Sequence, residues 1–70
     1  MELRKENLNL TPKEIEVLKL IVKGLNNSEI AEKLVLSLST VKFHIENIFT
    51  KLNTDNRTRA AVIAVKMGIE

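Results

Sequence analysis

Helix starts and helix stops recur at short intervals along this chain, and they restrict its fold more than any other feature of the sequence. Thr11, Pro12 and Glu14 predict one start, because threonine and a glutamate three residues later form a capping box and proline fits the first helical position. Gly24 and Gly68 are typical of the residue just beyond a helix end, where a left-handed backbone is favoured. Polar residues that precede further apolar stripes predict the other starts, at Asn26, Ser37 and Asn56.

Between these signals the apolar residues follow helical spacing, and no stretch alternates apolar and polar residues as a half-buried strand would. One buried face on the third helix is predicted by residues at helical intervals, Val41, Ile45, Ile48 and Leu52. The sequence predicts an all-α fold, a compact four-helix bundle with helices at about 12–23, 27–35, 38–52 and 57–67. Apolar residues make up 44% of the 70 residues, enough for a single core. We expect an N-terminal extension at residues 1–8 and one domain at 9–70.

The composition excludes several classes of protein. Because the chain has no cysteine, it cannot form a disulfide framework, a cysteine zinc site or a thiol nucleophile. The longest apolar run, residues 60–65, is much shorter than the roughly 20 residues that a membrane span needs. The first residues lack the apolar segment of a secretion signal. We therefore expect a cytoplasmic protein without a membrane partner.

Catalysis and metal binding are not indicated by the polar residues. His44 is the only histidine, and no aspartate or glutamate stands three or four residues from it to complete a metal pair or a catalytic triad. The two glycines stand alone, so no glycine-rich phosphate loop is present. We expect no enzyme activity, no metal, no cofactor and no small-molecule ligand in this domain. His44 is interpreted as a partly buried helical residue, with a phosphate contact as the less favoured alternative.

The segment at residues 27–46 has the dimensions of a helix-turn-helix, with a short helix, a tight turn at 35–37 and a longer helix. The second helix of that motif lies in the major groove of DNA. Residues 1–35 carry six charges of each sign, so the net charge of +2 falls on residues 36–70 and favours a polyanionic partner. On this pattern alone two interpretations stay open, a DNA-binding domain and a generic protein-interaction bundle.

A series of residues from about Asn9 to Ile69 matches a known pattern. It comprises Leu10, Thr11, Glu14, Glu16, Val17, Leu18, Gly24, Asn27–Ala31, Leu34, Ser37, Thr40–His44, Asn47, Ile48, Lys51, Leu52, Arg57 and Ala60. This series resembles the LuxR/GerE family of bacterial transcription regulators, whose DNA-binding domain is a four-helix unit. The resemblance implies a sequence-specific regulator that binds double-stranded DNA in the nucleoid, either free-standing or as the effector domain of a larger protein.

The resemblance also implies that the first turns of the third helix present side chains to base edges, and the matching positions are Lys42, Phe43 and Glu46. Helical spacing independently turns these three outward when Val41 and Ile45 turn inward. Lys42 suits guanine, Phe43 suits a thymine methyl group, and Glu46 suits the amino group of cytosine. Glu46 departs from the basic residue often found there in relatives, which implies a different base preference. Two alternatives stay open: Phe43 folds over a neighbouring helix, and Glu46 pairs with Lys42 as a solvated charge.

Contacts to the DNA backbone need N–H donors, hydroxyls and positive charge rather than base readers. Helix N-termini supply such donors, because their first N–H groups have no partner within the helix. We predict phosphate contacts from Asn27, Ser28, Ser39, Thr40, Lys51, Asn56 and Arg57. Ser37 is interpreted as a plain N-cap, and Thr40 has a capping role as its alternative. For Arg57 the alternative is a structural link between the last helix and the third.

One short recognition helix reads only a few base pairs, so we expect a second copy of the domain on DNA. The last helix has more apolar residues than its core-facing side needs to cover so small a domain. We predict a homodimer in which Val62 and Val65 meet their counterparts across a two-fold axis, with Ile63 and Lys66 at the margin. In the alternative, these apolar residues complete the core of the monomer.

A function from another class also stays open. A domain that keeps the helix-turn-helix frame can dock on RNA polymerase or on another regulator without reading DNA. Salt separates the two functions, because DNA affinity falls with a logarithmic slope of roughly −0.9 per phosphate neutralised. An apolar protein contact does not weaken in this way.

Overall fold

The computed structural model describes residues 9–70, and these residues form four α-helices and no β-strand. The helices are α1 at Pro12–Val22, α2 at Asn27–Leu34, α3 at Leu38–Leu52 and α4 at Arg57–Lys66. The predicted all-α fold with four helices is confirmed, and it measures 36 × 20 × 19 Å along its principal axes. The extension predicted at residues 1–8 lies outside the described residues. None of the helices between residues 9 and 70 is long and apolar enough to cross a membrane.

Each helix begins at the residue that its capping signal predicts. The Thr11 hydroxyl accepts a hydrogen bond from the Glu14 N–H at 3.1 Å, and the Glu14 carboxylate accepts one from the Thr11 N–H at 3.0 Å. Asn26 and Glu29 make the same reciprocal pair, with both bonds at 2.8 Å. The other two helices are capped by single side-chain acceptors, Ser37 for α3 and Asn56 for α4. These bonds satisfy N–H groups that have no partner within the helix, and so they fix where each helix starts.

Three helices end one residue before the predicted position. Lys23 and Met67 are caps with near-helical backbone angles, so α1 and α4 stop one residue earlier than the apolar pattern indicated. The glycines that follow these caps are left-handed as predicted, with φ of 92° and 85°. Helix α2 ends at Leu34 because Val35 is itself left-handed, with φ 56° and ψ 50°. A β-branched residue is strained in that conformation and gives no signal for it, so the predicted helix was one residue too long.

The core is built around α3, and the inward face predicted for this helix is buried. Helix α3 packs on α1 and on α2, while α4 packs mainly on α1. Close approach of α4 is possible because Ala60 and Ala64 present only methyl groups to the core, and both are fully covered. The buried apolar residues are Val17, Leu18, Leu20, Ile21, Ile30, Ala31, Val41, Ile45, Ile48, Leu52, Ala60, Ala64 and Ile69.

The core includes a residue beyond the end of α4. After the left-handed Gly68 the chain turns back, and the Ile69 N–H donates to the carbonyl oxygen of Ala64 at 2.9 Å. The Ile69 side chain is only 1% exposed. A 6→1 hydrogen bond together with an apolar side chain just beyond a left-handed glycine is the usual way a helix end is closed and covered.

Candidate nucleic-acid interface

The predicted base readers lie on the outer face of α3, in its first turns. Lys42, Phe43 and Glu46 are all exposed, and the Phe43 side chain exposes 58% of its surface. The Phe43 ring lies 5.8 Å from the ring of His44 at an angle of 60°. Because Phe43 is exposed and is not among the residues packed against the core, it does not fold over a neighbouring helix. His44 is half-buried, as its position beside the core stripe predicted.

Lys42 and Glu46 do not form an ion pair with each other. Between residues 9 and 70 the paired charges are Lys13 with Glu16 at 2.9 Å and Lys51 with Glu14 at 2.7 Å. The alternative in which Glu46 pairs with Lys42 therefore has no support in the structure. Both side chains are exposed on the predicted reading face of α3, which is formed by Lys42, Phe43 and Glu46.

Three hydroxyl groups cluster at the N-terminus of α3. The Ser37 hydroxyl accepts from the Thr40 N–H at 3.1 Å, so Ser37 is the N-cap that the sequence predicted. It also donates to the Thr40 hydroxyl oxygen at 2.8 Å and lies 3.2 Å from the hydroxyl of Ser39. Ser37 and Ser39 are exposed and Thr40 is half-buried, which leaves the end of the helix open to solvent.

An open cleft of about 430 Å³ separates the N-terminal ends of α2 and α3. Four residues predicted to touch DNA meet in this cleft, although they come from three different helices. Its lining consists of Asn26, Asn27, Ser28, Leu38, Lys42 and Arg57. Two cationic side chains and three small polar ones thus surround a depression next to the reading face.

Arg57 ties the first residue of α4 to the start of α2. Its Nη1 donates to Asn27 Oδ1 at 2.7 Å, and its Nη2 donates to the carbonyl oxygen of Leu25 at 2.9 Å. The alternative predicted for Arg57 was a structural link to the third helix. The link exists, but the predicted partner helix is wrong. The link runs to the second helix, because the turn at 53–56 brings α4 beside the loop that precedes α2.

Lys51 is also held by the fold. Its ammonium donates to the Glu14 carboxylate at 2.7 Å and to the carbonyl oxygen of Asn9 at 2.9 Å. These bonds favour a structural role, because a phosphate contact by Lys51 would have to compete with both acceptors. Asn56 is exposed, and its side chain caps α4 by accepting from the Arg59 N–H at 2.9 Å.

Glu14 is the one buried ionisable side chain between residues 9 and 70, and it is 3% exposed. Burial acts to raise the pKa of the Glu14 carboxyl group. The hydrogen bonds from Lys51 and from the Thr11 N–H outweigh burial, with help from the positive charge of Lys51. The pKa of Glu14 is therefore held below its usual value, and the carboxylate stays ionised inside the α1–α3 contact.

A comparison with known families identifies this arrangement. The family model for bacterial regulatory proteins of the luxR family (GerE) matches residues 8–64. The chain belongs to this family. Residues 8–64 are thus a LuxR-family DNA-binding helix-turn-helix domain, as the resemblance implied, and the family consists of transcription regulators rather than enzymes.

Individual LuxR-family relatives support the assignment. The transcriptional regulatory protein LnrK of Bacillus subtilis is 50% identical over 70 residues, which cover 97% of this chain and 32% of LnrK. LiaR of the same species is 50% identical over 56 residues, covering 80% of this chain and 26% of LiaR. The response regulator VraR of Staphylococcus aureus is 46% identical over 60 residues, covering 86% of this chain and 29% of VraR. The chain spans less than a third of the length of these relatives.

The residues predicted for the dimer divide into two groups in this LuxR-family domain. Val62 and Val65 are exposed by 48% and 46%, and Lys66 is exposed beside them. Ile63 is half-buried and packs against the core, so it contributes mainly to the monomer. A shallow apolar groove of about 360 Å³ runs along this face, lined by Val22, Thr58, Ala61, Val62, Val65 and Lys66.

Leu38 lines the candidate site, and the sequence prediction did not include it. It is the first residue of α3, it is 41% exposed, and it lines the cleft beside Lys42. The signal was present in the helical spacing, because Leu38 lies four residues before Lys42 and so shares its face. No such signal exists for the bond between Arg57 and Asn27, since 30 residues separate them in the chain.

No three His, Asp or Glu side chains between residues 9 and 70 lie close enough together to hold a metal ion.

Proposed function

We propose that this domain recognises a specific DNA sequence by placing the first turns of α3 in the major groove, and that it regulates transcription in this way. One observation carries the proposal: Phe43 is 58% exposed beside Lys42, next to a cleft lined by cations and hydrogen-bond donors. A solvated face gains nothing from an exposed phenyl ring, whereas a thymine methyl group or a deoxyribose gives it an apolar partner. Chromosomal DNA as the partner places the protein in the cytoplasm, at the nucleoid.

The three reading side chains have distinct chemical roles in this proposal. Lys42 donates to the O6 and N7 acceptors of guanine, Phe43 contacts a thymine methyl group, and Glu46 accepts from the amino group of cytosine. Because Lys42 and Glu46 are not paired with each other, neither has to break an ion pair before it meets a base. The carboxylate of Glu46 also repels phosphate, so it contributes base preference rather than affinity.

Backbone contacts come from the N-terminal ends of three helices. Asn27 and Ser28 begin α2, Ser39 and Thr40 begin α3, and Asn56 caps α4. Free N–H groups and the positive end of the helix dipole favour a phosphate at each of these places. Lys51 and Arg57 add positive charge to the field around the DNA, while their nitrogen atoms remain bonded to Glu14 and Asn27.

Alanine substitution of the reading residues tests the proposal. The wild-type chain first selects its preferred sites from a pool of randomised duplexes, and affinity for a selected site is then measured. We expect Lys42→Ala and Phe43→Ala to weaken specific binding by about 1–3 kcal/mol each, with melting temperatures close to that of the wild type.

Lys33→Ala is the charge-matched control, since Lys33 is exposed in the last turn of α2, away from the cleft. If Lys33→Ala and Lys42→Ala lowered DNA affinity equally, the contribution of Lys42 would be general charge attraction rather than a contact with a base. Wild-type binding that does not weaken with salt would favour docking on RNA polymerase or another regulator instead.

Dimer formation through α4 is part of the proposal. The exposed Val62 and Val65 give this helix an apolar face that two copies can share across a two-fold axis, with Lys66 and the outer edge of Ile63 at the margin. The face is small, so the two copies are expected to pair on DNA, where the neighbouring site holds the second copy at high effective concentration.

Val65→Glu tests the dimer on duplexes with one or two half-sites. The wild type is expected to bind the two-site duplex more tightly per half-site, and Val65→Glu is expected to remove this gain while binding to one half-site is kept. Glu70→Val is the control, because it exchanges the same two residue types in the reverse direction at an exposed position outside the groove. It is expected to leave the gain on the two-site duplex unchanged. This dimer would be excluded if the wild type bound the one-site and two-site duplexes with equal affinity per half-site and Val65→Glu changed neither affinity.

A further inference from the structure

We infer that Arg57 orients the side chain of Asn27 so that the Asn27 amide donates to a DNA phosphate through its Nδ2 group. Asn27 is then the phosphate contact at the start of α2, and Arg57 is a positioning residue that acts through it. The inference rests on the proposed function and assigns the two residues different parts in the same contact.

The direction of the Asn27 amide follows from the chemistry of its partner. Arg57 Nη1 lies 2.7 Å from Asn27 Oδ1, and Arg57 Nη2 lies 2.9 Å from the carbonyl oxygen of Leu25. A guanidinium group has five donors and no acceptor, so only the oxygen of an asparagine amide can face it. The Nδ2 group therefore lies on the side of the amide that faces away from Arg57.

The amide cannot easily turn round. A rotation of 180° about its last bond would place the Nδ2 hydrogens against the guanidinium donors and would break a charge-assisted hydrogen bond, which is stronger than a neutral one. Arg57 itself is fixed by its second bond to Leu25 and by its place at the start of α4. The orientation of Asn27 is thus set before any ligand arrives.

The cleft around Asn27 suits an anion that only accepts hydrogen bonds. Asn27 is the first residue of α2, at the positive end of that helix, and Ser28 and Lys42 line the same cleft. Between residues 9 and 70 the side-chain hydrogen bond of Asn27 is the one its oxygen accepts from Arg57. A phosphate oxygen only accepts hydrogen bonds, so it can bind the Nδ2 donor of Asn27. A second oxygen at the position of Nδ2 would repel the phosphate.

Asn27→Asp is the decisive variant, because it keeps the oxygen that Arg57 holds and replaces the donor by an anionic oxygen. We expect it to fold at least as stably as the wild type and to bind the selected duplex about tenfold or more weakly. Asn26→Asp adds the same charge one residue away, but its oxygen already caps α2 by accepting from the Glu29 N–H. It is expected to weaken binding only about twofold, through screened repulsion.

Equal losses for Asn27→Asp and Asn26→Asp would overturn the inference, because the effect would then come from charge alone. A folded Asn27→Asp variant that binds as tightly as the wild type would overturn it as well. If the wild type shows no salt-dependent binding to any selected duplex, the proposed function itself fails, and this outcome is seen before the variants are compared.

Arg57→Lys tests the positioning role, since it keeps the charge and loses the two-pronged geometry. We expect it to weaken DNA binding several-fold in the wild-type background and to have no further effect in the Asn27→Ala background. A residue that merely stabilises the fold would have the same effect in both backgrounds, provided that melting curves show every variant to be folded at the assay temperature. If Arg57→Lys weakened DNA binding as much in the Asn27→Ala background as in the wild type, the positioning role would be overturned. Arg57 would then contact the phosphate itself or act by another route.

Discussion

Helix α3 exposes Lys42 and Phe43 in its first two turns, whereas its last turn is held against α1 by the bond from Lys51 to Glu14. One end of the helix therefore leaves polar and aromatic side chains exposed, and the other end satisfies a buried charge. The anchored end fixes the direction of the helix, so the exposed side chains are presented on a rigid support. Less conformational freedom is then lost when the exposed end meets a ligand.

The exposed end of α3 contributes less to the stability of the fold than it would if its side chains were buried. Full burial of a phenylalanine side chain is worth about 1.5–3 kcal/mol, and Phe43 contributes little of this because it is 58% exposed. The residues between the two ends, Ile45 and Ile48, are buried and contribute to the core instead. Stability and recognition are thus carried by different faces of the same helix, and substitutions are expected to separate them.

The largest effect is expected in the middle of α3. Ile48 is fully buried, and Ile48→Ala is expected to lower the free energy of unfolding by about 2–5 kcal/mol, because it removes apolar contacts and leaves a cavity. Denaturant titration followed by circular dichroism measures the change. Phe43→Ala on the neighbouring face is the control and should alter the free energy of unfolding by less than about 0.5 kcal/mol. A loss of similar size for both would mean that Phe43 belongs to the core.

The next effect is expected at the anchored end. Lys51→Met keeps an unbranched side chain, one atom shorter than that of lysine, and removes its charge. The Glu14 carboxylate is then buried with the Thr11 N–H as its remaining partner. We expect a loss of about 2–3 kcal/mol in the free energy of unfolding at neutral pH. Lys13→Met is the matched control, because the pair of Lys13 with Glu16 is exposed and worth little. A loss no larger than that of Lys13→Met would show that Lys51 does not anchor the helix.

The stability conferred by the Glu14–Lys51 bond depends on pH. Because the pKa of Glu14 is lower in the folded state than in the unfolded state, its ionised form stabilises the fold above the usual carboxyl range, and this contribution is lost as the pH falls through the folded pKa. In Lys51→Met burial remains while the main opposing contacts are gone, so the pKa of Glu14 is expected to rise. The stability difference between the two proteins should therefore narrow on acidification. A difference that stays constant with pH would contradict this account of Glu14.

The smallest effect is expected in the turn that leads into the exposed end. Val35 is 89% exposed and left-handed, a conformation that β-branched residues adopt at a cost and asparagine tolerates. Val35→Asn is expected to raise the free energy of unfolding by about 1 kcal/mol. Glu32→Asn, in the helical part of α2, is the control and should lower it slightly because asparagine is a poorer helix former than glutamate. A destabilised Val35→Asn variant would indicate that the valine has an apolar partner in solution.

Much of the fold was predictable because its signals are local. The two capping boxes, the N-caps at Ser37 and Asn56 and the inward stripe of α3 all depend on residues within one or a few turns of each other. The end of α2 was missed for the opposite reason. The apolar pattern continues through Leu34 and Val35, and a β-branched residue gives no local signal for the left-handed conformation that Val35 adopts.

The candidate site was predictable in its outward face and not in its connections. Helical spacing indicated that Lys42, Phe43 and Glu46 face away from the core, and the structure confirms their exposure. The bonds from Lys51 to Glu14 and from Arg57 to Asn27 join residues 37 and 30 positions apart. Pairings at such separations are set by how the helices pack, and a single sequence carries no periodic signal for them. Two cations that pattern alone assigned to phosphate thus proved to have partners within the fold.

The burial of Ile69 has a consequence for how the chain acquires its shape during synthesis. Helix α1 emerges from the ribosome before the other three helices, yet it packs against α4, and the core that it joins includes Ile69 beyond the end of α4. The N-terminal half therefore has no complete core to join until residue 69 has been made and has left the exit tunnel. We therefore expect the four helices, which are joined by brief loops, to complete their packing late in synthesis. Small helical domains of this kind fold within microseconds to milliseconds.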